Sequence, residues 1–138
     1  MQCLDFRAGA GRLPVYSRTL PREAGSAGVS RRVVTTVLAS WHLRVLIDDA
    51  RLVIDELVAN AADHAEGASI RVTITRTERG VRLAVTDMDH RQAVLRSALP
   101  GDETGRGLFL VDEISDRWGV DPLPWGKRVW AELALAVE

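Results

Sequence analysis

The sequence has little of what would fix its class at a glance. It holds one cysteine, Cys3, so no intrachain disulfide can staple it, and a lone thiol near a terminus fits a reducing compartment without requiring one. Aromatic residues are 5% of the 138, and the charges nearly cancel, 18 Lys and Arg against 19 Asp and Glu for a net charge of −1. With no long basic run, binding to nucleic acid by phosphate neutralisation is not suggested. No apolar run reaches the ~20 residues a membrane-crossing helix needs, and no charged-then-apolar leader opens the chain. A cytoplasmic protein is expected, with neither a membrane nor a nucleic acid as direct partner. There is no internal repeat and no linker-like stretch. With 46% hydrophobic residues, the chain can bury a single core and is too short for two ordinary domains, so one domain over residues 1–138 is expected. Residues 1–12 form an extension the pattern does not place, either a short strand at Cys3 to Arg7 or a tail.

What is present is clear periodicity. Leu13 to Leu20 reads as an early strand, confined by Pro14 and Pro21 to a sheet edge or a short pairing. Pro21 to Gly28 is turn-like, after which Ser30 is placed to cap a helix through about Leu43, with Val33, Val34, Val37, Leu38 and Trp41 as its packing face. Asp48 is placed to cap a central helix. Two alternating runs follow, Ile70 to Ile74 and Val81 to Val85, joined as a hairpin through Glu78-Arg79-Gly80, with Ile70, Val72, Ile74, Val81, Leu83 and Val85 on one face. Residues 88–104 are irregular and contain Pro100 and Gly101. A helix packing through Leu108, Val111, Ile114 and Trp118 comes next, then two strands separated by a turn at Pro122 to Gly126. The expected fold class is α+β, a two-layer sandwich with helices on one face of a mixed, largely antiparallel sheet.

Three segments carry chemistry. On the central helix, at ~100° per residue, Glu56, Asn60 and Asp63 fall within roughly 60° of one another, while Ile54, Leu57, Val58, Ala61 and Ala65 form another face. A carboxylate able to accept a proton then lies one turn from an amide oxygen able to bind a hard cation such as Mg²⁺. The same pattern also describes an ordinary solvated helix face. In the second segment, Thr104 to Val111, Gly105 and Gly107 lead into an apolar-periodic helix. They either let backbone N–H groups approach a phosphate at a helix N-terminus or simply turn the chain into that helix. In the third, the run Val81 to Thr86 ends at Asp87, a strand-terminal carboxylate that is either a site residue or a turn cap. Trp118, Trp125 and Trp130 fall at strand and turn positions, where packing or a partner surface is the commoner use of an aromatic than base stacking. Lys127 is either an exposed strand-end lysine or a phosphate contact.

In this order, Glu56-x-x-x-Asn60-Ala61-x-x-His64, Asp87 and Gly105-x-Gly107-Leu108-x-x-Val111 resemble the motifs of the GHKL superfamily. This is the Bergerat-type ATP-binding domain of DNA gyrase, the large ATP-dependent chaperones, histidine kinases and MutL-type repair proteins. The small size and the closing segment Gly126 to Leu133 resemble one branch, the anti-sigma-factor serine/threonine kinases and their actinobacterial-type relatives, over roughly residues 13–136. The resemblance implies ATP and Mg²⁺ as ligands, with adenine on Asp87, the metal on Asn60, and phosphates over Gly105, Arg106, Gly107 and Leu108. It implies Glu56 as the catalytic base toward a serine or threonine of an anti-sigma-factor antagonist, with a sigma factor as competing partner and a homodimer as the assembly. It makes residues 88–104 a short nucleotide lid, and gives His64 a place in the first motif without making it the base. The chain departs from the pattern twice. No glycine follows Asp87 until Gly101, and Arg128 stands near where many relatives carry a threonine supporting the adenine-binding aspartate. These departures favour one alternative, a non-catalytic nucleotide-responsive protein-binding module, and an isolated histidine-kinase-type ATPase domain is a second.

Overall fold

A tethered serine sets the first corner of the molecule. The computed structural model describes residues 13–64, 68–87 and 104–136. Strand β1 (Val15–Pro21) ends in a turn from which helix α1 (Ser26–Ser40) starts directly, Ser26 Oγ donating to the Pro21 carbonyl at 2.6 Å. The expected cap, Ser30, is therefore a full turn inside the helix, where its hydroxyl donates to the Ser26 carbonyl at 2.7 Å. The turn chemistry at Glu23 to Gly25 outcompeted the serine, because it lets the five residues Ser26 to Ser30 join the helix and buries Ser26 as well as Ser30. At the other end, His42 takes φ 60° and the chain closes with Leu43 N–H on Leu38 C=O at 2.8 Å and His42 N–H on Ala39 C=O at 3.2 Å. This is a left-handed cap of the kind glycine usually provides. It stops α1 before Leu43, which the sequence pattern had included.

A single 3-10 turn, Arg44–Leu46, feeds helix α2 (Ile47–His64). Asp48, expected as its cap, lies with Asp49 in its first turn, where both carboxylates face the positive end of the helix dipole.

The sheet is built from β1, β2 (Ser69–Arg76), β3 (Gly80–Asp87), β4 (Arg117–Leu123) and β5 (Gly126–Ala134), in the order β1-β2-β3-β5-β4, with helix α3 (Thr104–Ile114) between β3 and β4 in sequence. All four pairings among the described residues are antiparallel, so the mixed sheet expected from the sequence is antiparallel throughout this part. Both prolines that could not serve a central ladder are at edges, Pro21 at the end of β1 and Pro122 within β4. Pro122 thus belongs to a strand rather than the turn, and the β4–β5 connection shrinks to Pro124 and Trp125.

The register puts Val72 opposite Val85 and Val85 opposite Val129, with Ile74 opposite Leu83 and Leu83 opposite Ala131. These side chains form one buried stripe, covered by Val34, Val37 and Leu38 of α1, Ile54, Leu57 and Val58 of α2, and Val111 of α3. Each fully buried aliphatic of this kind contributes about 1.5–3 kcal/mol relative to exposure. Trp118, read both as a possible end of the helix and as a packing aromatic at a strand position, sits on β4, packs against the same core and donates its indole N–H to Asp112 at 2.8 Å. The extension 1–12 with its Cys3 to Arg7 alternative, and the lid segment 88–103, lie outside the described residues.

Candidate functional site

Helix α2 is locked in rotation by Ile54, Leu57 and Val58, all at 0% exposure. That rotation carries Asn60 inward to 9% exposure, leaves Glu56 half-buried and leaves Asp63 in solvent. The last turn is held from outside by Arg22, whose Nη1 donates to the Ala62 carbonyl at 2.7 Å while its N–H donates to Ala68 at 2.9 Å. A guanidinium on the free carbonyls of a helix C-terminus is favoured by the dipole and fixes the turn that presents Asn60. Arg22 was not singled out in the sequence, since nothing local marks a cation after a strand-ending proline as the clamp of a distant helix.

Neighbouring acids on α2 divide their work. Asp55 Oδ1 accepts from Arg31 Nη1 at 2.5 Å, tying α2 to α1. Glu56 has no ion pair or side-chain hydrogen bond among the described residues.

Asp87 is the last residue of β3, on the helix-covered face, at 8% exposure, and it already has an interaction of its own. Gly126 opens β5 hard against it. A Cβ at position 126 would lie 2.5 Å from the Asp87 carbonyl oxygen and 3.5 Å from its Cβ, so only glycine lets the two strands approach here. Four polar side chains among the described residues are buried: Ser26, Ser30, Asn60 and Asp87. The two serines are satisfied by nearby carbonyls. The remaining two are the amide and the carboxylate that the sequence placed in a site.

Helix α3 begins at Thr104, so Gly105 and Gly107 lie within its first turn rather than ahead of it. That turn contains no acidic residue, and its N–H groups lack partners inside the helix, which suits it to an anion. Leu108 packs against the core and anchors the turn. The side chains of His64 and of Thr104 to Gly107, Arg106 included, lie outside the described residues. Because α2 packs on both α3 and β3, the three elements bearing Glu56 and Asn60, Asp87, and the glycine turn are direct neighbours.

Arg128 is not beside Asp87. It stands opposite Thr86 on the outer face of the sheet, and its Nη2 and Nε donate to Asp121 Oδ2 at 2.8 and 3.1 Å. The period-2 alternation of β5 sends its side chain away from the helices, so it is no substitute for a residue supporting the aspartate. Among the described residues there is no group of three or more His, Cys, Asp or Glu that could hold a metal by itself. Asn60 offers one amide oxygen, a hard donor of the kind Mg²⁺ favours.

The fold is that of an α+β domain of the GHKL ATPase type. Residues 20–133 match the histidine kinase-like ATPase domain, and the chain belongs to that family. Membership implies ATP binding. An uncharacterized protein of Streptomyces coelicolor is 40% identical over 73 residues, which are 48% of this chain and 67% of that one. No helix among the described residues is long and apolar enough to cross a membrane.

Proposed function

We propose that this protein is a cytoplasmic ATP-dependent regulator, an anti-sigma factor that phosphorylates a serine or threonine of its antagonist protein. The observation that supports transfer rather than binding alone is the contrast between Asp55, consumed by Arg31, and the half-buried Glu56 without a partner among the described residues, one turn before Asn60. A free carboxylate so close to a metal-binding amide is suited to accept a proton.

In this reading Asp87 accepts a hydrogen bond from the adenine amino group, and the N–H groups of the Gly105 to Leu108 turn, with Arg106, receive the phosphates. Asn60 supplies an amide oxygen to Mg²⁺. Bound Mg²⁺ would neutralise phosphate charge. Glu56 takes the hydroxyl proton as the substrate oxygen bonds to the γ-phosphorus and the bond to the bridging oxygen of ADP breaks. Positioning and charge neutralisation supply most of the acceleration, and proton transfer about 10²–10⁴-fold. A sigma factor is the competing partner, and a homodimer the assembly.

Incubation with radiolabelled ATP and candidate antagonists tests this directly. Label on a partner serine or threonine is expected. Label on a histidine would point instead to a histidine-kinase-type ATPase, and nucleotide binding without transfer to a nucleotide-gated binding module. The assignment of Asp87 is tested separately by calorimetry. ATP should bind more tightly than GTP, Asp87→Asn should reduce that preference, and equal affinities in the unmodified protein would remove it.

A further inference from the structure

On the face of β5 that looks toward the helices, the residue next to Asp87 is a lysine. Strands β3 and β5 pair in unbroken register, Val81 with Leu133, Leu83 with Ala131, Val85 with Val129 and Thr86 with Arg128. The ladder ends at that pair, and the same register carried one residue past its end sets Lys127 opposite Asp87, with Gly126 against the Asp87 carbonyl. Val85 and Val129 are both buried beneath the helices, so period-2 alternation brings Asp87 and Lys127 to that same face, while Arg128 points outward to Asp121. On its other side Lys127 faces Pro122, which offers no charge. Lys127 is half-buried and makes no ion pair or side-chain hydrogen bond among the described residues, whereas Arg82, Arg117 and Arg128 of the neighbouring strand positions are all paired to carboxylates.

We propose that Lys127 is a second base-reading residue, its ammonium donating to ring nitrogen N1 of adenine beside the amino group that Asp87 accepts. The inference rests on the reading of Asp87 as the base-binding carboxylate. Directly opposed residues on one face have Cβ atoms about 4.5–5.5 Å apart, and lysine brings three donors on a flexible four-carbon stem. The site therefore presents an acceptor next to a donor. Adenine offers the complement, an amino donor next to a ring-nitrogen acceptor. Guanine presents the reverse at the same two positions, a carbonyl oxygen and a protonated ring nitrogen, so it leaves both protein groups facing like partners. Rejecting a ligand by leaving buried polar groups unpaired discriminates more strongly than adding one contact.

Calorimetric titration of the full chain with ATP, ADP, adenosine, GTP and 1-deaza-ATP tests this. Lys127→Met keeps the stem and removes the donor. It should weaken ATP and adenosine by the same factor, about tenfold, and lower the ATP-to-GTP preference by a similar factor. The unmodified protein should lose that factor on 1-deaza-ATP, and the Met variant should not distinguish the two nucleotides. Lys127→Arg should retain most of the affinity, and unchanged thermal unfolding of the Met variant shows that the loss is local. Loss confined to ATP and ADP, with adenosine unaffected, would make Lys127 a phosphate contact and overturn the inference. So would unchanged affinity in Lys127→Met while Asp87→Asn weakens ATP, a result that leaves the nucleotide site itself standing. Failure of the unmodified protein to bind any adenine nucleotide, or full ATP affinity in Asp87→Asn, removes both the site and this role for Lys127.

Discussion

The two faces of the sheet hold polar residues of opposite kinds. On the outer face Glu132 accepts from Arg117 Nε at 2.6 Å and from Arg82 Nε at 2.9 Å, and the Arg82 guanidinium lies 4.1 Å from the centroid of the Trp130 ring. Beside this cluster Arg128 is held by Asp121. Each of these charges finds its partner within the fold. On the helix side, Glu56, Asn60 and Lys127 have no side-chain partner among the described residues, Asn60 at 9% exposure. An amide, a carboxylate and an ammonium without a protein partner among the described residues therefore gather near one end of β3, whereas the fully buried polar atoms that lack one, Ser115 Oγ and Trp130 Nε1, lie elsewhere. The charges of the outer face are spent on one another, and those of Glu56 and Lys127 at the inner end are not.

The sharpest way to break this contrast is at the adjacent acids of α2. Glu56→Gln keeps size and helix preference but removes basicity, so phosphoryl transfer should fall at least about 10²-fold with nucleotide affinity little changed. Transfer at near the original rate would make Glu56 a surface carboxylate. Asp55→Asn should do the converse, loosening α1 from α2 in denaturant unfolding while leaving nucleotide affinity intact. Next in size is Gly126→Ala, whose Cβ has nowhere to go against the Asp87 carbonyl. A loss of about 1–3 kcal/mol on chemical denaturation is expected, with weaker ATP binding because Asp87 must move.

On the outer face, Glu132→Gln should lower stability by about 1–2 kcal/mol and leave ATP affinity unchanged. Arg117 foremost, then burial acting against it and Arg82 reinforcing it, set the Glu132 carboxyl below the usual glutamate range. The folded state therefore takes up this proton at lower pH than the unfolded chain. Its stabilisation is complete above about pH 4.3 and is lost as pH falls through the depressed folded value. Unfolding curves measured between neutral pH and about pH 3 should show a shallower acid loss in the Gln variant. An equal slope would deny Glu132 that role. The smallest effect is at His42, which adopts a left-handed backbone at exposed cost. His42→Gly should raise stability by about 0.5–1 kcal/mol without touching the site, read by thermal unfolding.

The strongest elements were legible because their periodicity coincides with their burial. Ile70, Val72, Ile74, Val81, Leu83 and Val85 alternate in the sequence and form one buried face in the sheet, and Ile54, Leu57 and Val58 do the same at helical spacing. Helix ends were less legible, since Ser30 and Asp48 are good caps wherever a helix chooses to start. Competition from Ser26 with the Pro21 carbonyl, and from the 3-10 turn, is invisible in a local window. Asn60 and Asp87 could be named as candidates from motif order, and the structure buries both, but Arg22 could not be named.

The chain itself thus determined the α+β class, the edge position of β1, the order of the three chemical segments and the face of α2 that packs, because each depends on residues close in sequence. Tertiary structure alone decided which polar residues would be spent on one another. Arg128 and Lys127 are neighbours with the same charge, and nothing in their local sequence distinguishes their roles. Strand register and alternation send Arg128 to Asp121 on the outer face and bring Lys127 to the face of Asp87, since antiparallel pairing across 40 residues fixes both at once.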